Sequence, residues 1–170
     1  KQVMTTDHLR SFSHDPVVMT RIAAVHALGD AWAMGAAPQA ATINIILPRM
    51  SAQMQSRTLA EIMAVAGAVM ADAGAAIVGG HTSLGDELTI GFTITGICTR
   101  DPITIAGAQD GDALILTKPI GFGVIMAAEM AGAANGADVA SAIALMQRGQ
   151  ADAAEILRDA HAMTDVTGFG

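Results

Sequence analysis

Residues 22–47 restrict the fold more than any other part of this chain. They form a run dominated by Ala, Val, Ile and Leu that carries His26 and Asp30 and is cut by Gly35 and Pro38. A membrane-spanning helix needs roughly 20 consecutive apolar residues, so this interrupted run is not a span. It divides instead into a buried helix and a buried strand. Asp15-Pro16 starts the helix: the Asp15 carboxylate accepts from free N–H groups of the first turn, and proline at the first helical position loses no bond it would have made. Val18, Ile22, Val25, Ala27, Leu28 and Trp32 supply its apolar stripe as far as Met34, and Gly35 and Pro38 end it. Residues 40–47 then read as a strand closed by Pro48.

The rest of the pattern is also mixed. Val3 to Thr6 form a short β-favouring run ending at Asp7, and Ser56 to Ala73 read as a second helix capped by Gly74. Ala75 to Val78 predict a short buried strand that runs into the Gly79-Gly80 pair. Leu88 to Cys98 alternate Ile90, Phe92 and Ile94 with Thr89, Gly91, Thr93 and Thr95, the period of a strand with one buried face. Leu114 to Leu116 predict another strand, Gly121-Phe122-Gly123 opens an Ala/Met helix, and Met146 to Ala160 predict a last helix. Thr164 to Gly170 read as a strand and turn. The expected fold is α/β (α+β), a mixed sheet with helices on one face. Residues 1–118 are expected to make an N-terminal domain, and 119–170 to begin a C-terminal one.

Composition narrows the function. Of 170 residues, 52% are hydrophobic and 15% charged, which excludes a disordered chain. Nine Lys+Arg against 16 Asp+Glu leave a net charge of −7; with no basic run and 3% aromatics, a nucleic-acid surface is disfavoured. An anionic ligand would need a metal ion. One cysteine, Cys98, makes neither an internal disulfide nor a zinc cage, and Lys1-Gln2-Val3 opens no secretory apolar segment, so a cytoplasmic protein without a membrane partner is expected.

Asp30 carries the most information, because a carboxylate among Ala27, Leu28, Ala31, Trp32, Ala33 and Met34 is costly to bury without a cation, a donor or water. His26 lies one turn earlier on the same face and is the expected partner. A half-exposed acid or a plain His–Asp pair accounts for these residues equally well. Asp7, at a strand end, stands where acids that hold metals or ribose are found, although a turn aspartate fits as well. Gly79-Gly80-His81-Thr82 offers a close backbone approach to phosphate with two side-chain donors, or a bare Gly-Gly turn. Asp165, between Thr164 and Thr167, is a further strand-end carboxylate or part of a turn. Gly121 and Gly123 after Lys118-Pro119 suit a phosphate-cradling turn, but Met126 stands where a dinucleotide fingerprint has its third glycine.

Taken in order, Met4-Thr5-Thr6-Asp7, Asp15-Pro16, Arg21 to Ala24 and Ala27 to Pro38 resemble the aminoimidazole-ribotide-synthetase-like superfamily of ATP-using enzymes. Gly79 to Thr82, Leu116 to Gly121 and Thr164 to Gly170 are similar, within it, to the selenophosphate synthase (selenide, water dikinase) family. The resemblance implies an ATP-dependent reaction of selenide and water that gives selenophosphate, AMP and phosphate, with Mg2+ bridging carboxylates and triphosphate. It implies that Asp30 and Asp165 ligate magnesium, that Asp7 contacts nucleotide or its metal, and that Gly79, Gly80, His81 and Thr82 form a nucleotide loop contributed across a homodimer whose sheets pair into a barrel. The family's catalytic Cys or selenocysteine, its Lys and an early Asp-Asp-Ala strand have no counterpart in these residues. The catalytic group is therefore unassigned, and the isolated residues are expected to be inactive.

His26 and Gly29 stand where the family has Asn and Ser, and His8-Leu9-Arg10 is an unusual continuation, similar to the variant fused behind a pyridine-nucleotide-disulfide-oxidoreductase-like module. Two alternatives stand beside this resemblance. One is a thiamine-monophosphate-kinase-like enzyme, which would share Asp7, Asp30 and the Gly-Gly pair but place an acid at position 81; the other is a non-catalytic nucleotide-sensing or dimerisation domain.

Overall fold

A computed structural model of the chain describes residues 1–167. The elements run β1 (Gln2–Arg10), α1 (Pro16–Ala33), β2 (Ala37–Pro48), α2 (Ala52–Asp72), β3 (Ala76–Gly85), β4 (Thr89–Ile97), a single 3-10 turn (Ile105–Gly107), α3 (Phe122–Met130), α4 (Gly136–Met146) and α5 (Ala151–Ile156). The four strands form one sheet in the order β1-β4-β2-β3. β4 is antiparallel to both its neighbours, while β2 and β3 are parallel and are joined through α2 as a β-α-β crossover. The mixed sheet and its helices agree with the α/β expectation.

The alternation in the sequence sets the two faces. Ile43, Ile45, Leu47, Ile90, Phe92 and Ile94 are all at most 3% exposed and share the core with α1 and α2. α1 is apolar around most of its circumference because it is covered from several sides, by the sheet, by α2 and by the later helices. Its alanines, among them Ala23, Ala24 and Ala27, bring the helix close to the strands. Asp15 caps α1 as expected, its Oδ1 accepting from Val17 N at 2.8 Å.

Several boundaries differ from the sequence expectation. β1 continues through Asp7 to Arg10 because β4 pairs with it along its whole length, and the Arg10–Glu87 ion pair at 2.5 Å closes that end. Asp7 is therefore within a strand, not at its end. α2 begins four residues earlier than Ser56, since Ser51 Oγ accepts from Met54 N and caps it. Leu114 to Leu116 form no strand: all three are exposed and no other strand pairs with them among the described residues. The helix expected over 146–160 is replaced by α4, capped by Asn135, and by the short α5. The break falls at Gly149, where a Cβ would stand 3.2 Å from the Trp32 ring. Residues 164–167 are not a strand, and Gly168 to Gly170 lie outside the described residues.

Gly79 to Thr82 also depart from expectation. They are neither a loop nor a turn but part of β3, opposite Thr42 to Ile45 on β2. The register shifts between Ala41 and Thr42, so β3 carries one extra residue there. A Cβ on Gly80 would overlap the Ile43 carbonyl oxygen, so the bulged pairing requires glycine. Gly80→Ala is expected to cost about 1–3 kcal/mol through overpacking, read as a lower midpoint in thermal unfolding. An unchanged midpoint would mean that the edge strand yields freely.

Candidate functional site

The strand period that buries Phe92 also turns Thr5 and Asp7 of β1 inward, toward α1. On α1, His26 and Asp30 are four residues apart and share a face. The two elements meet as two pairs. His26 Nε2 lies 2.8 Å from Asp7 Oδ2, and Asp7 Oδ1 accepts from His8 N at 2.7 Å, so both oxygens of this carboxylate are engaged. The Thr5 hydroxyl donates to Asp30 Oδ2. The expected His26–Asp30 pair is thus corrected: the histidine partners Asp7, and Asp30 is served by a threonine that the sequence did not single out. The signal was present in β1, where positions 5 and 7 share the face that α1 covers.

Asp165 joins from the far end of the chain. Its Cβ packs near Gly29, which brings its carboxyl group close enough to Asp30 to feel that charge. Burial first, and then the adjacent Asp30 charge, push the Asp165 carboxyl above the usual carboxylate range, while His26 pulls weakly the other way. Ionising Asp165 beside Asp30 is therefore unfavourable in the folded chain, an expense absent at acid pH and present at neutral pH. Among the described residues neither carboxylate has a Lys or Arg within ion-pair distance.

These groups border a cleft of about 340 Å³ between the start of β1, the end of α1 and two later segments, with Thr5, Asp30, Met34, Ile103 and Asp165 in its walls. Its lining contains two carboxylates and no Lys or Arg. A second, wider cleft of about 630 Å³ lies at the other end of the sheet, where Arg57 is already paired with Glu61 and Glu87 with Arg10. The first cleft is the one whose lining has carboxylates and no basic residue.

Two adjacent carboxylates are a hard oxygen donor set of the kind magnesium takes, since that ion is usually held by one or two carboxylates with water and substrate phosphates. The described residues contain no group of three Asp, Glu, His or Cys spaced to hold a metal, so Asp7 does not complete a closed cage with Asp30 and Asp165. The remaining candidates, Gly79, Gly80, His81 and Thr82, are not brought to this cleft. They lie on β3, at the opposite edge of the sheet from β1, with β4 and β2 between. Among the described residues no helix is long and apolar enough to cross a membrane.

Comparison with known proteins agrees with this architecture. Residues 1–98 match the family model of the AIR synthase related protein N-terminal domain, and residues 109–170 match that of the AIR synthase related protein C-terminal domain. The chain is 40% identical over 171 residues to a selenide, water dikinase of Desulfitobacterium hafniense strain Y51, and 38% identical over 173 residues to one of Citrifermentans bemidjiense. In each case 99% of the chain is covered but only 49% of the relative, so the chain spans about half the length of the curated relatives it matches.

Among solved structures, thiamine monophosphate kinase from Aquifex aeolicus superimposes with a TM-score of 0.76 at 19% identity, covering 98% of this chain and 59% of that one. The thiamine-monophosphate kinase from Stenotrophomonas maltophilia gives 0.77 at 24% identity, covering 95% of this chain and 55% of that one. Likenesses at this identity concern the fold. With both domain models matched in sequence order and the same fold in these structures, the chain belongs to the AIR synthase related protein family.

Proposed function

We propose that the chain carries the metal–nucleotide half-site of an enzyme that makes selenophosphate from selenide, ATP and water, releasing AMP and phosphate. The observation that carries this proposal is the Asp30–Asp165 pair in a cleft whose lining has no basic residue. Two facing carboxylates repel a triphosphate unless a cation stands between them, and Mg2+ bound there would supply that bridge and neutralise phosphate charge. Asp30 and Asp165 would hold the ion. Asp7, fixed in orientation by His26 and the His8 amide, would meet the nucleotide or a second ion. The relatives named selenide, water dikinase supply the substrate assignment. A thiamine-monophosphate-kinase-like reading has the structural likeness in its favour, but it calls for an acid at position 81, where this chain has His81. Residues 1–118 would form the ATP-binding domain and 119–170 the start of a second domain, in a cytoplasmic protein.

The proposal includes a homodimer, because Gly79 to Thr82 cannot serve the cleft of their own chain from the opposite sheet edge. The uncovered sheet face suits such a partner. Thr6, His8, Thr42, Asn44, Thr93 and Thr95 lie on it, with Arg10 and its partner Glu87 at one end. Small, uncharged side chains permit close approach of two sheets, and a two-fold contact places the same patch on both copies. Thr93→Arg, at the centre of that face, is expected to yield monomers by light scattering at micromolar concentration; a dimer that survives it uses another surface.

Phosphorus NMR of the full-length protein with ATP tests the activity. Selenophosphate, AMP and phosphate are expected to accumulate only when selenide is present. ATP consumption unaffected by selenide, with transfer to thiamine monophosphate, would replace this function with the kinase alternative.

A further inference from the structure

Asp165 is carried by a segment without helix or strand, residues 157–167, and its approach to Asp30 depends on how that segment is seated. The seat is the loop after β4. Arg100 Nη1 pairs with Asp159 Oδ1 at 2.6 Å, and Asp112 Oδ1 lies 2.7 Å from His161 Nδ1 while its other oxygen accepts from Gln109 N at 2.8 Å. Between these two tethers the backbones touch, for a Cβ on Gly107 would overlap the His161 carbonyl oxygen. The loop is itself fastened to the helix that bears Asp30, since Ile103 N donates to Met34 O at 3.1 Å. The path from Asp30 through Met34, Ile103, Gly107 and His161 to Asp165 therefore closes into a ring around the cleft.

We propose that Gly107, with the Arg100 and Asp112 tethers, positions Asp165 against Asp30. Gly107 does not have a positive φ, so alanine is compatible with its backbone and acts only through the added methyl group. That methyl has no space, because its obstacle is a main-chain carbonyl and not the end of a flexible side chain. The segment must lift, and Asp165 is only four residues further on. The two side-chain tethers lie near the surface and contribute less than the contact at Gly107. The nucleotide readout of this inference rests on the function proposed above, whereas its structural readout does not.

The test uses the isotope-labelled full-length protein. A Gly29 Hα to Asp165 Hβ nuclear Overhauser contact is expected in the wild type, since a Cβ on Gly29 would lie 3.9 Å from that of Asp165. Gly107→Ala is expected to abolish it and to weaken Mg2+-dependent binding of a non-hydrolysable ATP analogue about tenfold, the scale for losing a supporting group at a metal site. Combined with Asp165→Asn, it should weaken binding no further than Asp165→Asn alone, which a merely destabilising substitution would not reproduce. Retention of the contact in folded Gly107→Ala overturns the proposal. If Gly107→Ala does not fold, the double variant Arg100→Gln/Asp112→Asn must weaken the same contact, and an undiminished contact overturns the proposal equally. Loss of the contact in a protein whose wild type binds no nucleotide would support the positioning role and refute the proposed function.

Discussion

Asp30→Asn and Asp165→Asn are each expected to lower the Mg2+-dependent affinity for nucleotide by on the order of 100-fold, at the upper end of what changes in a metal site's supporting groups produce. Each substitution would remove one of the two carboxylates proposed to hold the cation, in a cleft with no basic residue to offset phosphate. The same substitutions have an opposite effect on the empty protein. Burial and the Asp30 charge raise the Asp165 pKa, so at neutral pH the folded chain bears the strain of two adjacent carboxylates. Asparagine at either position relieves that strain, so the thermal midpoint without divalent cation should hold or rise while nucleotide affinity falls. Below the ordinary carboxylate range the stabilising effect should vanish, because the repelling charge is already lost. Calorimetry showing wild-type affinity in both variants would remove these residues from the site.

Phe92→Ala is expected to be the most damaging core substitution, costing about 3–5 kcal/mol as is usual for truncating a buried phenylalanine. Phe92 is 1% exposed at the centre of the sheet, with β1 on one side and β2 on the other. Its partner across the β1–β4 ladder is Asp7, on the same inward face. The cavity therefore opens beside the carboxylate that His26 holds, and looser packing there should also release Asp7. Chemical denaturation checks the energy, and a loss under 1 kcal/mol would show that α1 and α2 collapse into the gap. Phe92→Leu, which keeps most of the volume, should recover most of the stability.

The fold was legible where side-chain period and burial coincide. Ile90, Phe92 and Ile94 alternate with threonines, and this identifies β4 and both its faces from sequence alone. Asp15-Pro16 marks the start of α1 because capping is local chemistry. β1 was less legible, since only pairing with β4 extends it past Asp7 through the polar His8 and Arg10. Leu114 to Leu116 look like a strand because they are apolar, but a strand requires a neighbour, and apolar character does not supply one.

The candidate site divides in the same way. An acid among apolar residues drew attention to Asp30, and motif resemblance drew it to Asp165. Their meeting depends on contacts across more than a hundred residues, which no local pattern encodes. His26 was recognised as a partner but given to the wrong carboxylate: helical spacing identifies neighbours on one helix, while the structure pairs it across to β1. Gly79-Gly80 reads as a turn because glycine pairs are common in turns. Here the pair serves a bulged edge strand, in which Gly80 avoids the Ile43 carbonyl.

On the proposed function, Asp30 and Asp165 would together hold a divalent cation that also takes the nucleotide phosphates. Substituting Mn2+ for Mg2+ in full-length protein labelled with carbon-13 at the aspartate and glutamate carboxyls tests it without any turnover. On addition of Mn2+ and a non-hydrolysable ATP analogue, the Asp30 and Asp165 carboxyl resonances should broaden first and together. If those two stay sharp while Asp86 and Glu87, in the cleft at the other end of the sheet, broaden instead, the cation binds elsewhere and the account of the site is wrong.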